Sequence, residues 1–141
     1  MSRFEFSNFY PCEIEYQGLI FPTPENLFQA LKAKNPEFRK EFCNISPGDA
    51  KRMGRVLALR EDWDEYRIPT MTYVQTRRFE NIYWADKLMA TGTEELVEYN
   101  TWHDNFWGVC TCPKCEGKGQ NNLGKIIMGV RLTLLTKSML Y

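Results

Sequence analysis

In the stretch PTPENLFQALKAK, residues 22–34, a glutamate, a glutamine and a lysine recur at helical spacing. At 100° per residue Glu25, Gln29 and Lys32 fall within a narrow arc, and Leu27, Ala30 and Leu31 fall opposite, where a core would take them. A carboxylate can stabilise positive charge, and an amine can hold an anion or act as a nucleophile. The arc therefore reads either as one wall of an active site or as the wet face of a helix. A second concentration of chemistry lies in NTWHDNFWG, which supplies Trp102, His103, Asp104, Phe106 and Trp107, and in GKGQNNLG just ahead of a helical pattern. Aromatic rings can stack on a base, and free N–H groups at a helix start suit a phosphate, although such rings also build cores and such glycines also build turns. A third lies in CTCPKC. Cys110, Cys112 and Cys115, with His103 or another cysteine, could form a four-ligand structural zinc site that pins the loop; because such sites usually use paired C-x-x-C elements and only one is present, free thiols are the default.

The elements that must position these groups follow from local signals. Thr23 can cap a helix with Pro24 at its first position. The segment RFEFSNF alternates like a short strand, and CEIEYQGLIFPT reads as two strand pieces around Gln17 and Gly18. In SPGDAKRMGR, Ser46 is the N-cap, Pro47 lies in the first turn, Asp49 takes the third helical position and Gly54 is the stop of a short second helix. From Asp64 onward Met71, Val74, Phe79, Ile82 and Leu88 predict one kinked or two consecutive helices, with Pro69 in a first turn and Gly92 after the last. ELVEYN reads as a strand and residues 101–121 as a long irregular loop. A closing helix puts Leu123, Ile126, Ile127, Val130 and Leu134 on one face. Short strands mixed with helices in no regular order define an α+β class, expected as one domain over residues 1–141.

Composition narrows the function classes. The 141 residues carry 43% hydrophobic and 14% aromatic content, enough for one domain with a core. Lys plus Arg number 18 and Asp plus Glu number 18, so there is no broad positive field of the kind that binds long nucleic acid or membrane surfaces. No run reaches transmembrane length and the start MSRFEFSNFY has no apolar signal core, which leads to the expectation of a cytoplasmic protein. Five cysteines, an odd number, argue against a disulfide framework.

The ordered pieces FSNFYP, FPTPENLFQALKAK, GDAKRMGR, REDW, ATGTEELVE, HDNFWG and GQNNLGKIIMGVR together resemble the YbiA-like NADAR family over nearly the whole chain. The resemblance implies N-glycosidase chemistry: hydrolysis of the bond between a ribose anomeric carbon and a nitrogen. The substrates it implies are ribosylamino pyrimidine phosphate intermediates of riboflavin synthesis, or ADP-ribose attached to guanine. It also implies that Glu25, Gln29, Lys32, Arg55, Asp104, Trp107, Asn121 and Gly124 line the pocket, with Ser7, Asn8 and Phe9 as the opening segment that faces it. Two positions depart from the family pattern. Asn26 stands where a histidine often follows the glutamate, which removes a proton carrier, and Arg78 replaces a lysine before Phe79.

Breaking an N-glycosidic bond builds positive charge on the sugar, so the site needs an anion, a nucleophile and a means of releasing the base. Glu25, in a first helical turn, is expected as the anion because the helix dipole favours its ionised form. Asp104, flanked by aromatics, is the candidate acid or second carboxylate. Lys32 can hold a phosphate or hydroxyl, or attack the anomeric carbon to give a Schiff base. Arg55 and Arg131 could grip phosphate oxygens. Catalysis is expected to need no cofactor, and the partner is a nucleotide-like small molecule or an ADP-ribosylated nucleic acid, with no membrane. The alternative is a non-catalytic reader of ADP-ribose or related nucleotides.

Overall fold

Glycine and asparagine turns, caps and prolines punctuate this chain so closely that its elements are short. The structure, a computed structural model, describes residues 6–140 and is α+β, as expected. It divides into two units: Asn8–Arg78, and the residues from Phe79 onward joined by those up to Ser7.

The first unit begins with a hairpin, β1 (Ile14–Tyr16) and β2 (Leu19–Phe21), antiparallel with Tyr16 opposite Leu19. Its two-residue connection needs positive φ at both positions, and Gln17 (φ 49°) and Gly18 (φ 84°) provide it. Helix α1 (Pro24–Ala30) follows, with the Thr23 side chain accepting from the Asn26 N–H. A 3-10 helix (Pro36–Phe42), α2 (Pro47–Val56) and α3 (Trp63–Arg78) complete the unit. Ser46 caps α2 through the Asp49 N–H, as the sequence indicates. Gly54 is not the stop, however. It lies inside α2, where a Cβ would overlap the Gln29 side chain, so the glycine serves the close approach of α1 to α2. Pro69 sits in the second turn of α3 instead of the first, because the Asp62 carbonyl already accepts from the Glu65 and Tyr66 N–H groups and starts the helix earlier.

In the second unit α4 (Ile82–Met89) opens on an Asn81 cap, and Gly92 (φ 60°) follows its end. The two consecutive helices expected from Asp64 are thus α3 and α4. β3 (Tyr99–Asn100) pairs in parallel with β4 (Val109–Cys110), and α5 (Asn122–Leu140) closes the chain. The strand expected over ELVEYN shrinks to two residues for a physical reason. Upstream, the Leu96 carbonyl and the Glu98 N–H bond to the Asn121 side-chain amide and not to a strand. Residues 101–121 are correspondingly less irregular than expected, since β4 and a Cys110–Lys118 bridge lie within them. The alternating segment expected to form an opening strand is a turn over its described part, Phe6–Phe9, and its remainder lies outside the described residues. No helix among the described residues is long and apolar enough to cross a membrane.

Candidate active site

Glu25 and Gln29 settle the first question raised by the sequence: they are 7% and 3% exposed, so the polar arc is no wet face. Every residue of α1 is buried. The Glu25 N–H donates to the Asn8 carbonyl (3.1 Å), and the Gln29 amide donates to the Glu25 carboxylate (2.8 Å). Behind them the Gln75 amide donates to Asn8 Oδ1 (2.6 Å), so the opening segment is tied to α3. The Gln29 side-chain oxygen, Oε1, is buried against Gly54 with no donor among the described residues. An orphaned buried acceptor of this kind is costly, and here it accompanies the close packing of α1 on α2.

Lys32 departs from the expected geometry, because α1 ends at Ala30 and Lys32 lies in the turn that follows. Its carbonyl accepts from the Arg60 N–H, and an isolated bridge joins Ala33 to Leu59, so the backbone of the turn is held on both sides. The amine Nζ stands 5.3 Å from the Phe28 ring centroid and 5.8 Å from that of Trp63. Burial lowers the Lys32 pKa; the Glu25 charge opposes this, and the positive charges of Lys51 and Arg55 reinforce it. Glu25 moves the other way. Burial raises its pKa against the hydrogen bond from Gln29, the charges of Lys51 and Lys32 and the hydrogen bond from Asn8. Desolvation outweighs the favourable partners, so the Glu25 pKa lies above the ordinary carboxylate value in spite of its place at a helix start.

Three residues of this site were missed in the sequence. Lys51 acts electrostatically on both Glu25 and Lys32, and its Nζ lies 6.0 Å from the Phe9 ring centroid. Its position one helical turn before Arg55 was the available signal. Phe28 and Trp63, with ring centroids 5.4 Å apart, carried none beyond being aromatic. Asn26, in the place of the family's histidine, is fully buried and donates to the Phe42 and Ile45 carbonyls (2.9 Å each), so it anchors the chain behind α1. Arg55 is exposed on α2, and Arg78 is fully buried.

The remaining expected residues belong to the second unit. Ser7 is half-buried. Asp104 Oδ1 accepts from the Phe106 and Trp107 N–H groups (3.2 and 2.9 Å), while Asn100 grips its backbone from both sides. Trp107 packs edge-on to Phe106, with centroids 4.7 Å apart, and its carbonyl accepts from the Leu123 N–H at the start of α5. Asn121, in a left-handed conformation (φ 53°), spends its amide on Leu96 and Glu98. A Cβ at Gly124 would overlap the Leu96 carbonyl, so that glycine permits close packing. Arg131 is buried and donates to Thr91 Oγ1 (2.8 Å). His103, Cys110, Cys112 and Cys115 place one ligand atom each within 4.8 Å of one another, a set that could hold a metal ion.

The NADAR domain model matches residues 1–135, and the chain belongs to the NADAR family. It is 35% identical over 131 residues to the N-glycosidase YbiA of Escherichia coli (strain K12), covering 90% of this chain and 79% of that protein. It is 33% identical over 129 residues to a riboflavin biosynthesis protein of Vibrio vulnificus (strain YJ016), covering 89% of this chain and 34% of that longer protein. The NMR structure of Escherichia coli YbiA superposes with a TM-score of 0.82 at 33% identity, over 97% of this chain and 81% of that one.

Proposed function

We propose that the chain is an N-glycosidase acting on a ribosyl–nitrogen bond, either in ADP-ribosylated guanine or in a ribosylamino pyrimidine phosphate of riboflavin synthesis. Its YbiA relative carries the first part of that reading by name. The observation that carries it within this chain is the pairing of a buried carboxyl, Glu25, with an amine set against the Phe28 and Trp63 rings. Burial lowers the Lys32 pKa and raises that of Glu25, which shifts both groups in the direction that a displacement at the anomeric carbon by an amine, with proton donation to the base, requires. The Lys32 amine attacks that carbon, and the base nitrogen leaves with the bonding electron pair and a proton from Glu25. A proton passes from the alkylated Lys32 nitrogen to the ring oxygen as the sugar ring opens to a protonated imine on Lys32, and water hydrolyses that imine to free the sugar, restoring the neutral amine and returning a proton to Glu25. Gln29 orients the carboxyl, and Lys51 and Arg55 supply positive charge for phosphate oxygens. The reading rests on Glu25 and Lys32 and does not draw on Asp104, whose carboxylate serves its own loop. No metal enters these steps; the metal-capable cluster takes zinc in a structural role, and the protein works in the cytoplasm, where thiols stay reduced.

Incubation with ADP-ribosylated guanosine and, separately, with the riboflavin intermediate tests the reading. Release of sugar from either supports the enzyme and identifies the substrate. Tight binding of both without release across a pH series would make the protein a reader of these ligands instead.

A further inference from the structure

We infer that His103, Cys110, Cys112 and Cys115 form a tetrahedral structural zinc site that fastens the loop bearing Asp104, Phe106 and Trp107. His103 Nδ1 lies 3.3 Å from Cys112 Sγ, 3.4 Å from Cys115 Sγ and 4.0 Å from Cys110 Sγ. Zinc bound to three thiolates and one imidazole, with bonds of about 2.3 and 2.0 Å, sets ligand atoms about 3.5–3.8 Å apart. The histidine distances already bracket that value, and the remaining separations, none above 4.8 Å, close by thiol rotation about χ1. None of the five cysteines is in a disulfide.

The backbone is arranged for the same end. The Cys115 N–H donates to Cys112 Sγ (3.4 Å) and also faces the Cys112 carbonyl (3.1 Å), a tight turn that aims two sulfurs to one side. The Gly117 N–H donates to the Cys110 carbonyl and the Cys110 N–H to the Lys118 carbonyl, which lays the third sulfur beside that turn. His103 has φ 69°, an uncommon conformation for a residue with a Cβ, and it reaches the three sulfurs from the far end of the loop. Binding releases the three thiol protons to solvent, and the neutral imidazole contributes its Nδ1 lone pair with the proton on Nε2. Because His103 and Cys110 flank residues 104–109, one ion cross-links both ends of the segment that holds the Asp104 turn. The role is structural, since all four positions are taken by protein and none is left for water or substrate.

The test is metal analysis of the full chain purified without chelator, followed by exchange of zinc for cobalt(II). About one equivalent of zinc per chain, and a cobalt form with thiolate charge-transfer bands and intense tetrahedral d–d bands, are expected. Cys112→Ser should lower zinc affinity at least about tenfold, as should His103→Ala, whereas His103→Cys should keep the tetrahedral cobalt spectrum. Chelation should raise amide hydrogen exchange in residues 103–118. Metal-free protein that takes up no stoichiometric cobalt would overturn the inference, and so would a Cys112–Cys115 disulfide found by mass spectrometry of protein kept under reducing conditions. These readouts are independent of turnover, so they stand or fall apart from the glycosidase reading.

Discussion

The segment around α1 and the segment around Cys110 both gather reactive side chains, and the chain fixes them by opposite means. Around α1 the backbone is regular, every helical residue is buried, Glu25 is held by its bonds to Asn8 and Gln29, and Gln29 packs against Gly54 of α2. Between Asn100 and Asn121 there is little regular structure. There the fixing is done by side-chain amides bonding backbone groups, beside four side chains that face one another and could hold a metal ion. Burial in the first region raises the Glu25 pKa and lowers that of Lys32, while in the second region the polar atoms hold the chain. A reactive residue type therefore says little until its neighbours are known. Asp104 and Asn121 have the chemistry of a site, and their side chains also bond the backbone of their own region.

The sharpest break between the regions comes at Lys32. If its amine is the nucleophile, Lys32→Arg abolishes turnover although the charge survives, and borohydride added to active wild-type enzyme traps a reduced sugar adduct on Lys32. An arginine variant with substantial activity and an unmodified Lys32 after trapping would reduce the residue to an anion holder.

Glu25→Gln should cost about 100-fold or more in kcat while ligand binding survives, because the amide keeps the shape but carries neither the charge nor the proton. Its effect on stability has a definite sign. A carboxyl whose folded-state pKa is raised keeps its proton at pH values where the unfolded chain has released it, so wild-type stability falls as pH rises above the ordinary carboxylate range. The glutamine variant lacks that fall. Melting temperatures measured from acid to neutral pH should show a gap in favour of Glu25→Gln that widens as pH rises; a constant gap would mean that Glu25 ionises as an exposed carboxylate does.

In the loop region Asn121→Ala should act on stability first. It strips the Leu96 carbonyl and the Glu98 N–H of their partner and places alanine at φ 53°, at a combined cost of about 2 kcal/mol or more. Denaturant titration measures this directly. Lost ligand affinity at unchanged stability would restore Asn121 to the substrate-binding role that the family resemblance implies.

These contrasts also explain what the sequence could and could not reveal. Helix α1, its Thr23 cap and Pro24 start, the Gln17–Gly18 turn and the Ser46 cap were legible because each depends on residues adjacent in sequence. The burial of the polar arc was not, because periodicity reports which residues share a face and not what covers that face. Gly54 was misread for the same reason: as a sequence signal it marks a helix end, and only the distant Gln29 explains it. The shortened strand before Tyr99 failed through a partner 20-odd residues away, the Asn121 amide, which no local pattern encodes. The cysteine spacing was legible as a possible metal site, yet the φ of His103 that completes the set was not.

The smallest effect isolates packing from chemistry. A Cβ at Gly54 would overlap the far end of the Gln29 side chain and no backbone atom, so Gly54→Ala displaces a flexible amide instead of forcing α1 and α2 apart. Alanine also has the better helix propensity, by about 1 kcal/mol, which offsets the crowding in a position where φ is not positive. Stability should therefore change little. The displaced amide, however, can no longer donate to Glu25 at 2.8 Å, and the carboxyl loses the partner that orients it. Turnover should fall about tenfold, equivalent to about 1.4 kcal/mol at the transition state, with its pH profile moved toward higher pH because the lost hydrogen bond had been holding the Glu25 pKa down. Normal kcat with an unmoved profile in a well-folded Gly54→Ala protein would show that Gln29 does not position Glu25, and that the order of the first region reflects packing alone.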